Sequence, residues 1–218
     1  MKKYLFPSLE NQSCKNFTWI LTLGNKANIS YIKSSLDLNY SFKTIIIYQE
    51  SYKNYVKKIS KGFDILITSR IDYDDLIYYD AVNDVRKAID LNKPILLYGY
   101  NKGVYYFESD NKYYDFFRTY NHKGCMSIFV SLITVLKYVN QTLTIYNLRG
   151  HTNIRETLLK KYKDFGIKEL NYEPAIFEYL DHKFIWVRQK FSGTYKQYKN
   201  IQYKLKEINF NLTKFYGK

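Results

Sequence analysis

The chain has 218 residues, 46% hydrophobic and 25% charged, a balance that excludes disordered and fibrous classes and fits a soluble globular protein of one domain. No run reaches the ~18 apolar residues of a membrane span, and the start, Met1-Lys2-Lys3-Tyr4-Leu5-Phe6-Pro7, lacks the apolar stretch of a secretory signal. The formal net charge of +14 favours polyanionic or diphosphate-bearing partners, although heavy use of Lys, Asn, Ile and Tyr is equally the footprint of an AT-rich genome. Cys14 and Cys125 have neither metal nor redox spacing, so a reduced, cytoplasmic protein is expected.

In chain order, residues 2–11 read as a helix around Pro7-Ser8-Leu9, with Leu5 and Leu9 on one side. Residues 17–23 form an apolar strand, stopped by Gly24-Asn25. A helix over 26–38 is marked by Ile29, Ile32 and Leu36. The β-branched run 43–48 is a second strand. Residues 51–60 are a short helix, and Gly62 separates it from a third strand, Phe63-Asp64-Ile65-Leu66-Ile67. Helices alternating with strands imply crossover units, hence a mixed but mainly parallel sheet flanked by helices. Ligands of such sheets bind beyond the carboxyl ends of the strands.

A helix is expected over 81–91, ended by Asn92-Lys93-Pro94. A strand follows at 95–100, with 103–108 as its hairpin partner across Asn101-Lys102. Further strands are expected at 124–130, which 132–138 either extends or turns helical, and at 142–146. A helix over 153–165 closes at Gly166. A strand at 184–188 and a lysine-rich helical tail from about 195 to 208 complete the chain. No repeat or linker divides it, so residues 1–218 are expected to form one domain.

The sharpest feature stands at the end of the third strand: Thr68-Ser69-Arg70-Ile71-Asp72-Tyr73-Asp74-Asp75. Carboxylates at i and i+2 of an extended turn point the same way and can share one hard cation. That cation would offset their repulsion and act as Lewis acid for a departing diphosphate, while Arg70 adds a fork of donors to the same phosphates. The plainer alternative is that Asp72 to Asp75 only cap the following helix.

These residues also carry a resemblance. Thr68 to Asp75 resembles the T-x-R-[LI]-D-x-D-D segment of a rhamnosyltransferase-like group within the GT-A class of nucleotide-sugar glycosyltransferases. Upstream, Pro7-Ser8-Leu9-Glu10-Asn11-Gln12-Ser13 with Phe17-Thr18-Trp19-Ile20 is similar to that group's P-S-L-x-x-Q-T…F-x-W segment. Weaker echoes are Ile145-Tyr146…His151-Thr152 and Trp186-Val187-Arg188. The good matches span roughly residues 7 to 80. The resemblance implies a GT-A-like fold and a metal-dependent glycosyltransferase. It would move a sugar, rhamnose among the options, from a nucleoside-diphosphate sugar to a glycan or glycoconjugate, with Mn²⁺ or Mg²⁺. Asp74 matches the metal ligand, Asp72 the carboxylate near the ribose or a metal-bound water, and Asp75 a second ligand or an orienting group. One departure is that the class begins with a base-holding strand ahead of the segment matched at Pro7, so that strand is expected to be missing and turnover to be in doubt.

An inverting displacement needs a base for the acceptor hydroxyl; Glu108, Asp110 and Asp115 are candidates that spacing does not separate. His151, after a strand, is either a further metal ligand or a cap. His122 and His182 carry no such argument. Trp19 and Trp186 are expected in the core, and Tyr98, Tyr100, Tyr105 and Tyr106 either line a sugar-stacking cleft or pack inside. The basic tail, Lys196 to Lys206, is a solvated face or a peripheral membrane contact. Rival functions are a basic nucleic-acid-binding protein, a catalytically inactive relative and, among enzymes, a nucleotidyltransferase.

Overall fold

A computed structural model describes residues 3–36, 39–100, 102–117, 129–139, 141–148, 154–167, 184–188 and 206–216. The first elements follow the apolar pattern closely: α1 (Leu5–Glu10), β1 (Thr18–Leu23), α2 (Ile29–Ser35), β2 (Lys43–Tyr48), α3 (Tyr52–Ile59) and β3 (Ile65–Arg70). Asn28 starts α2 by accepting from the Tyr31 amide at 3.0 Å, as a polar N-cap does. The chain leaves α3 through Gly62, whose φ of +82° is a left-handed conformation open to glycine at little cost.

Past β3 come β4 (Leu76–Ile77), α4 (Ala81–Lys87), β5 (Ile95–Gly99), β6 (Lys102–Phe107), β7 (Lys112–Phe117) and β8 (Val130–Val135). Then follow α5 (Ile154–Lys161), β9 (Phe184–Arg188), β10 (Glu207–Ile208) and α6 (Thr213–Tyr216).

The fold is mixed α/β, but its sheets are not mainly parallel. The pair β1–β2 is parallel, a three-stranded sheet runs β3-β8-β5, and a five-stranded sheet runs β10-β7-β6-β9-β4. Antiparallel β8 separates β3 from β5, and in the larger sheet only β6–β9 is parallel. The crossover argument holds for β1-α2-β2 and then fails. The neighbour of β3 arrives from far along the chain, and alternation of nearby elements carries no information about it.

The hairpin expected between 95–100 and 103–108 does not form: β5 pairs with β8, and β6 turns instead into β7. Burial gives the reason. All five residues of β5 and all six of β8 are buried, so both faces of this sheet need covers. Leu96, Tyr98 and Ile133 pack with α1 and α4 side chains Leu5, Phe6, Leu9, Ala81 and Val85. Ile95, Leu97, Val130 and Leu132 pack on the other face with Leu143, Ile145, Leu148 and Leu158. Each such fully buried Leu or Ile contributes about 1.5–3 kcal/mol. A third cluster, Tyr4, Leu76, Val104 and Phe215, lies against the five-stranded sheet.

Two more expectations change. Residues 142–146 are not a strand; Ile145–Leu148 is a 3-10 turn, because the Asn147 side chain accepts from both the amide and the hydroxyl of Thr144, at 2.7 and 2.8 Å. The end of the expected C-terminal helix is β10, paired with β7; residues 195–205 lie outside the described residues, as do 124–128. Of the region 132–138, the first part extends β8 and Leu136–Tyr138 turns 3-10. The helix over 153–165 is α5 followed by a 3-10 turn, and Gly166 ends it at φ +80°.

Candidate functional site

The acidic segment joins the two larger sheets, leaving β3 and entering β4. The strand before it is longer than its apolar run, since Thr68, Ser69 and Arg70 stay in the ladder opposite Leu132, Ser131 and Val130. Their polar groups find partners there. The Ser69 and Ser131 hydroxyls share a 2.6 Å hydrogen bond, and the Thr68 hydroxyl accepts from the Ile145 amide at 2.8 Å. Polar residues thus continue a half-buried strand with their hydroxyls bonded, and Arg70 arrives at its very end.

Beyond Arg70 the chain turns, and the Asp75 amide donates to the Asp72 carbonyl at 3.3 Å. The Arg70 guanidinium lies 3.8 Å from the Asp72 carboxylate, both partly exposed, a weak pair by itself. Tyr73 is exposed, Asp72 and Asp74 are half-buried, and Asp75 is fully buried. The three carboxylates therefore do not share one environment. Among the described residues no three His, Cys, Asp or Glu side chains are grouped to hold a metal ion. What the turn offers is narrower: Asp72 and Asp74 on the accessible side and Asp75 inside. Mg²⁺ or Mn²⁺ commonly takes one or two carboxylates and completes its shell with water and substrate phosphates, and Asp72 with Asp74 fits that donor set. His151 lies outside the described residues, as do His122 and His182.

Past β4 the chain is fixed by residues whose role spacing alone did not reveal. Gln12, buried at the end of α1, donates to the carbonyls of Ser8 at 3.1 Å and Tyr78 at 2.7 Å. Its side-chain oxygen accepts from the Val82 amide at 3.1 Å, one of the donors left over at the start of α4. Beside it the Ser13 amide donates to the Tyr79 carbonyl at 2.8 Å, and the Ser13 hydroxyl bonds Asp80. Asn83 donates to Asp80 at 2.9 Å. Burial works to raise the Asp80 pKa, but the Ser13 and Asn83 hydrogen bonds and the Lys87 charge outweigh it and hold the carboxyl below its ordinary range. The first segment that carries the resemblance, 7–13, is therefore tied to residues 78–83, which follow β4 after the acidic turn. The signal was present in the P-S-L-x-x-Q spacing, which puts Gln12 one helical turn past Ser8.

The candidate bases are spread out. Glu108 and Asp110 lie in the β6–β7 turn, and Asp115 lies within β7 opposite Val104. Glu108 is already engaged: Lys3 pairs with it and the Tyr4 hydroxyl donates at 2.6 Å. The Lys3 and Tyr4 bonds hold its carboxyl low, while burial and the Glu108 bond push Tyr4 up to about 12. Asp110 accepts from the Ser109 hydroxyl at 2.7 Å, and the Asp115 amide donates to the Lys206 carbonyl at 2.9 Å. Register nonetheless gives the acidic turn and the β6–β7 turn a common side. Strand β4 enters opposite Ile185 and β6 ends opposite Arg188, so these strand ends lie two strand spacings, ~10 Å, apart laterally and about three residues, ~10 Å, apart along β9.

Of the tyrosines, Tyr98, Tyr100 and Tyr105 are core residues, so they do not line a cleft. The Tyr100 hydroxyl donates to Asp84 at 3.0 Å, and burial, with Tyr98 and Asp84 close by, pushes its pKa well up. Tyr106 is half-buried and stacks on Tyr113. Trp19 packs edge-on against Phe6 beside the main core; the Trp186 side chain lies outside the described residues.

No family model matches this chain, and neither a curated protein nor a solved structure matches it. Among the described residues no helix is long and apolar enough to cross a membrane.

Proposed function

We propose that the protein is a metal-dependent glycosyltransferase of GT-A type, moving a sugar from a nucleoside-diphosphate donor to a glycan or glycoconjugate. The observation that carries this reading is the Asp72-Tyr73-Asp74 turn at the end of β3, with Arg70 beside it. Two accessible carboxylates next to a guanidinium form a mixed-sign site. A lone cation or a lone anion would leave part of it uncompensated, whereas a metal diphosphate satisfies both signs.

In this reading Asp72 and Asp74 hold Mn²⁺ or Mg²⁺, and the ion supplies Lewis acidity toward the leaving diphosphate. Arg70 is already drawn toward Asp72 and has the fork geometry to bind a phosphate from the adjacent side. Asp75, buried, serves to shape the turn rather than to ligate. The Gln12 and Ser13 bonds hold the outgoing strand still, which keeps the carboxylates in place before the donor arrives. The resemblance of residues 7–13 and 68–75 to the rhamnosyltransferase-like group supports rhamnose as one donor sugar to be tested.

The test is thermal stabilisation by UDP, GDP and dTDP, each with and without Mn²⁺, on the wild type and on Asp74→Ala. The reading expects a shift with at least one nucleotide that needs Mn²⁺ and disappears in the variant. No shift with any nucleotide overturns it.

A further inference from the structure

Among the described residues seven large hydrophobic side chains stand exposed, and four of them, Ile59, Phe63, Leu91 and Tyr138, belong to one end of the three-stranded sheet. Register places them there. Phe63 lies just ahead of β3, Leu91 ahead of β5, and Tyr138 just after antiparallel β8. Backbone bonds tie the three chain segments together at that end: the Leu136 amide donates to the Asp64 carbonyl at 2.8 Å and the Val135 amide to the Pro94 carbonyl at 2.9 Å. Ile59 ends α3, joined to Phe63 by the turn at Gly62. Phe63 is 66% and Leu91 53% exposed, and it is the gathering of four such side chains at one end, not any one of them, that marks the surface.

The same end is basic. Lys57, Lys58, Lys61 and Lys137 are exposed, and the Lys137 ammonium sits 4.7 Å from the centre of the Tyr138 ring. Among the described residues the acidic groups there are Asp64, exposed, Asp90, which pairs with Lys93 at 3.5 Å, and exposed Asp164, whose backbone carbonyl accepts from the Gln141 side chain at 2.6 Å; lysines outnumber them. Apolar tips ringed by ammonium groups match the interface of an anionic bilayer. There the tips enter the boundary between headgroups and acyl chains, and the lysines meet the phosphates. A nucleic acid would use the lysines and stack on Phe63 or Tyr138, but it gives aliphatic Ile59 and Leu91 nothing to do.

We propose that this end of the sheet is a docking surface for an anionic phospholipid bilayer. The inference does not depend on the sugar-transfer reading. Strand β3 spans the distance from Phe63 to the acidic turn, ~20 Å for its six residues, so a docked molecule holds that turn away from the lipid.

The test uses Phe63→Trp protein with vesicles of phosphatidylcholine alone or mixed with phosphatidylserine. A blue shift of the new tryptophan's emission is expected on the mixed vesicles and not on phosphatidylcholine alone. Lys58→Glu with Lys61→Glu is expected to lower the partition coefficient roughly tenfold or more, and Leu91→Asp to lower it as well, with melting temperatures unchanged because all these side chains are exposed. Absence of the blue shift overturns the proposal. So does binding that survives the charge reversal, which would place the contact elsewhere. Equal loss of RNA binding without any emission shift on vesicles would make the surface a nucleic-acid site instead.

Discussion

Replacing Gln12 by alanine removes three hydrogen bonds at once, to Ser8, Tyr78 and Val82. Each net bond is worth about 0.5–1.5 kcal/mol, and a buried partner left unsatisfied costs about 1–3 kcal/mol. The Ser8 carbonyl is one of the last of α1, and the Gln12 backbone amide turns to Leu9 rather than to it, so it relies on the Gln12 side chain. The Tyr78 carbonyl also accepts from the Ala81 amide at 3.0 Å, so its loss is the mildest; the Val82 amide depends on Gln12 more heavily, and a water entering the vacated space recovers part of the loss. The net expectation is a loss of about 3 kcal/mol. For a chain of this size that is a fall in melting temperature of about 6–12 °C. Gln12→Glu keeps the acceptor for Val82 but sets a carboxylate against two carbonyl oxygens, so it is expected to be no better than alanine. Urea denaturation followed by circular dichroism measures both variants, and hydrogen exchange of residues 71–82 reports whether the acidic turn loosens with the clamp. A loss below about 1 kcal/mol, with exchange in residues 71–82 unchanged, would refute the claim that Gln12 holds the chain that follows the acidic turn.

Thr68→Val keeps shape but leaves the Ile145 amide without its side-chain acceptor, a loss of about 2 kcal/mol in urea denaturation, whereas Thr68→Ser retains most of the stability. Asp80 carries a depressed carboxyl in the fold, so its contribution is fully present above the unfolded carboxylate pKa, about 4. That contribution is lost as pH falls through the lower folded value. Asp80→Asn is therefore expected to flatten the acid limb of the stability profile below about pH 4, and an unchanged acid limb contradicts the assignment.

Much of the first half was legible because periodicity is local. Ile45, Ile46 and Ile47 mark β2 by β-branching alone, and Val56 with Tyr52 sets the inward face of α3. Strand partners were not legible. Asn101-Lys102 between two apolar runs imitates a tight hairpin loop, yet the buried β5 is satisfied by β8, whose Val130–Val135 lies far along the chain. Thr142 to Tyr146 has strand-forming residues, but Asn147 captures Thr144 locally and folds the segment into a turn. At the site, spacing located Asp72, Asp74 and Asp75 and could not distinguish them. Only the chain's path into β4 buries Asp75 and leaves the other two within reach of solvent. Gln12 is the opposite case, since its motif was visible while its partners, Tyr78 and Val82, lie across the fold.

The central claim concerns a metal diphosphate on Asp72 and Asp74, and the most direct measurement is the electron paramagnetic resonance of Mn²⁺ titrated into the protein. With UDP, GDP or dTDP present, the free-ion signal is expected to fall as protein is added, beyond what nucleotide alone removes. Asp74→Ala is expected to restore it, while Asp75→Asn, if folded, retains the effect. A signal that protein leaves untouched with all three nucleotides, or that Asp74→Ala depresses as strongly as the wild type, would contradict the account.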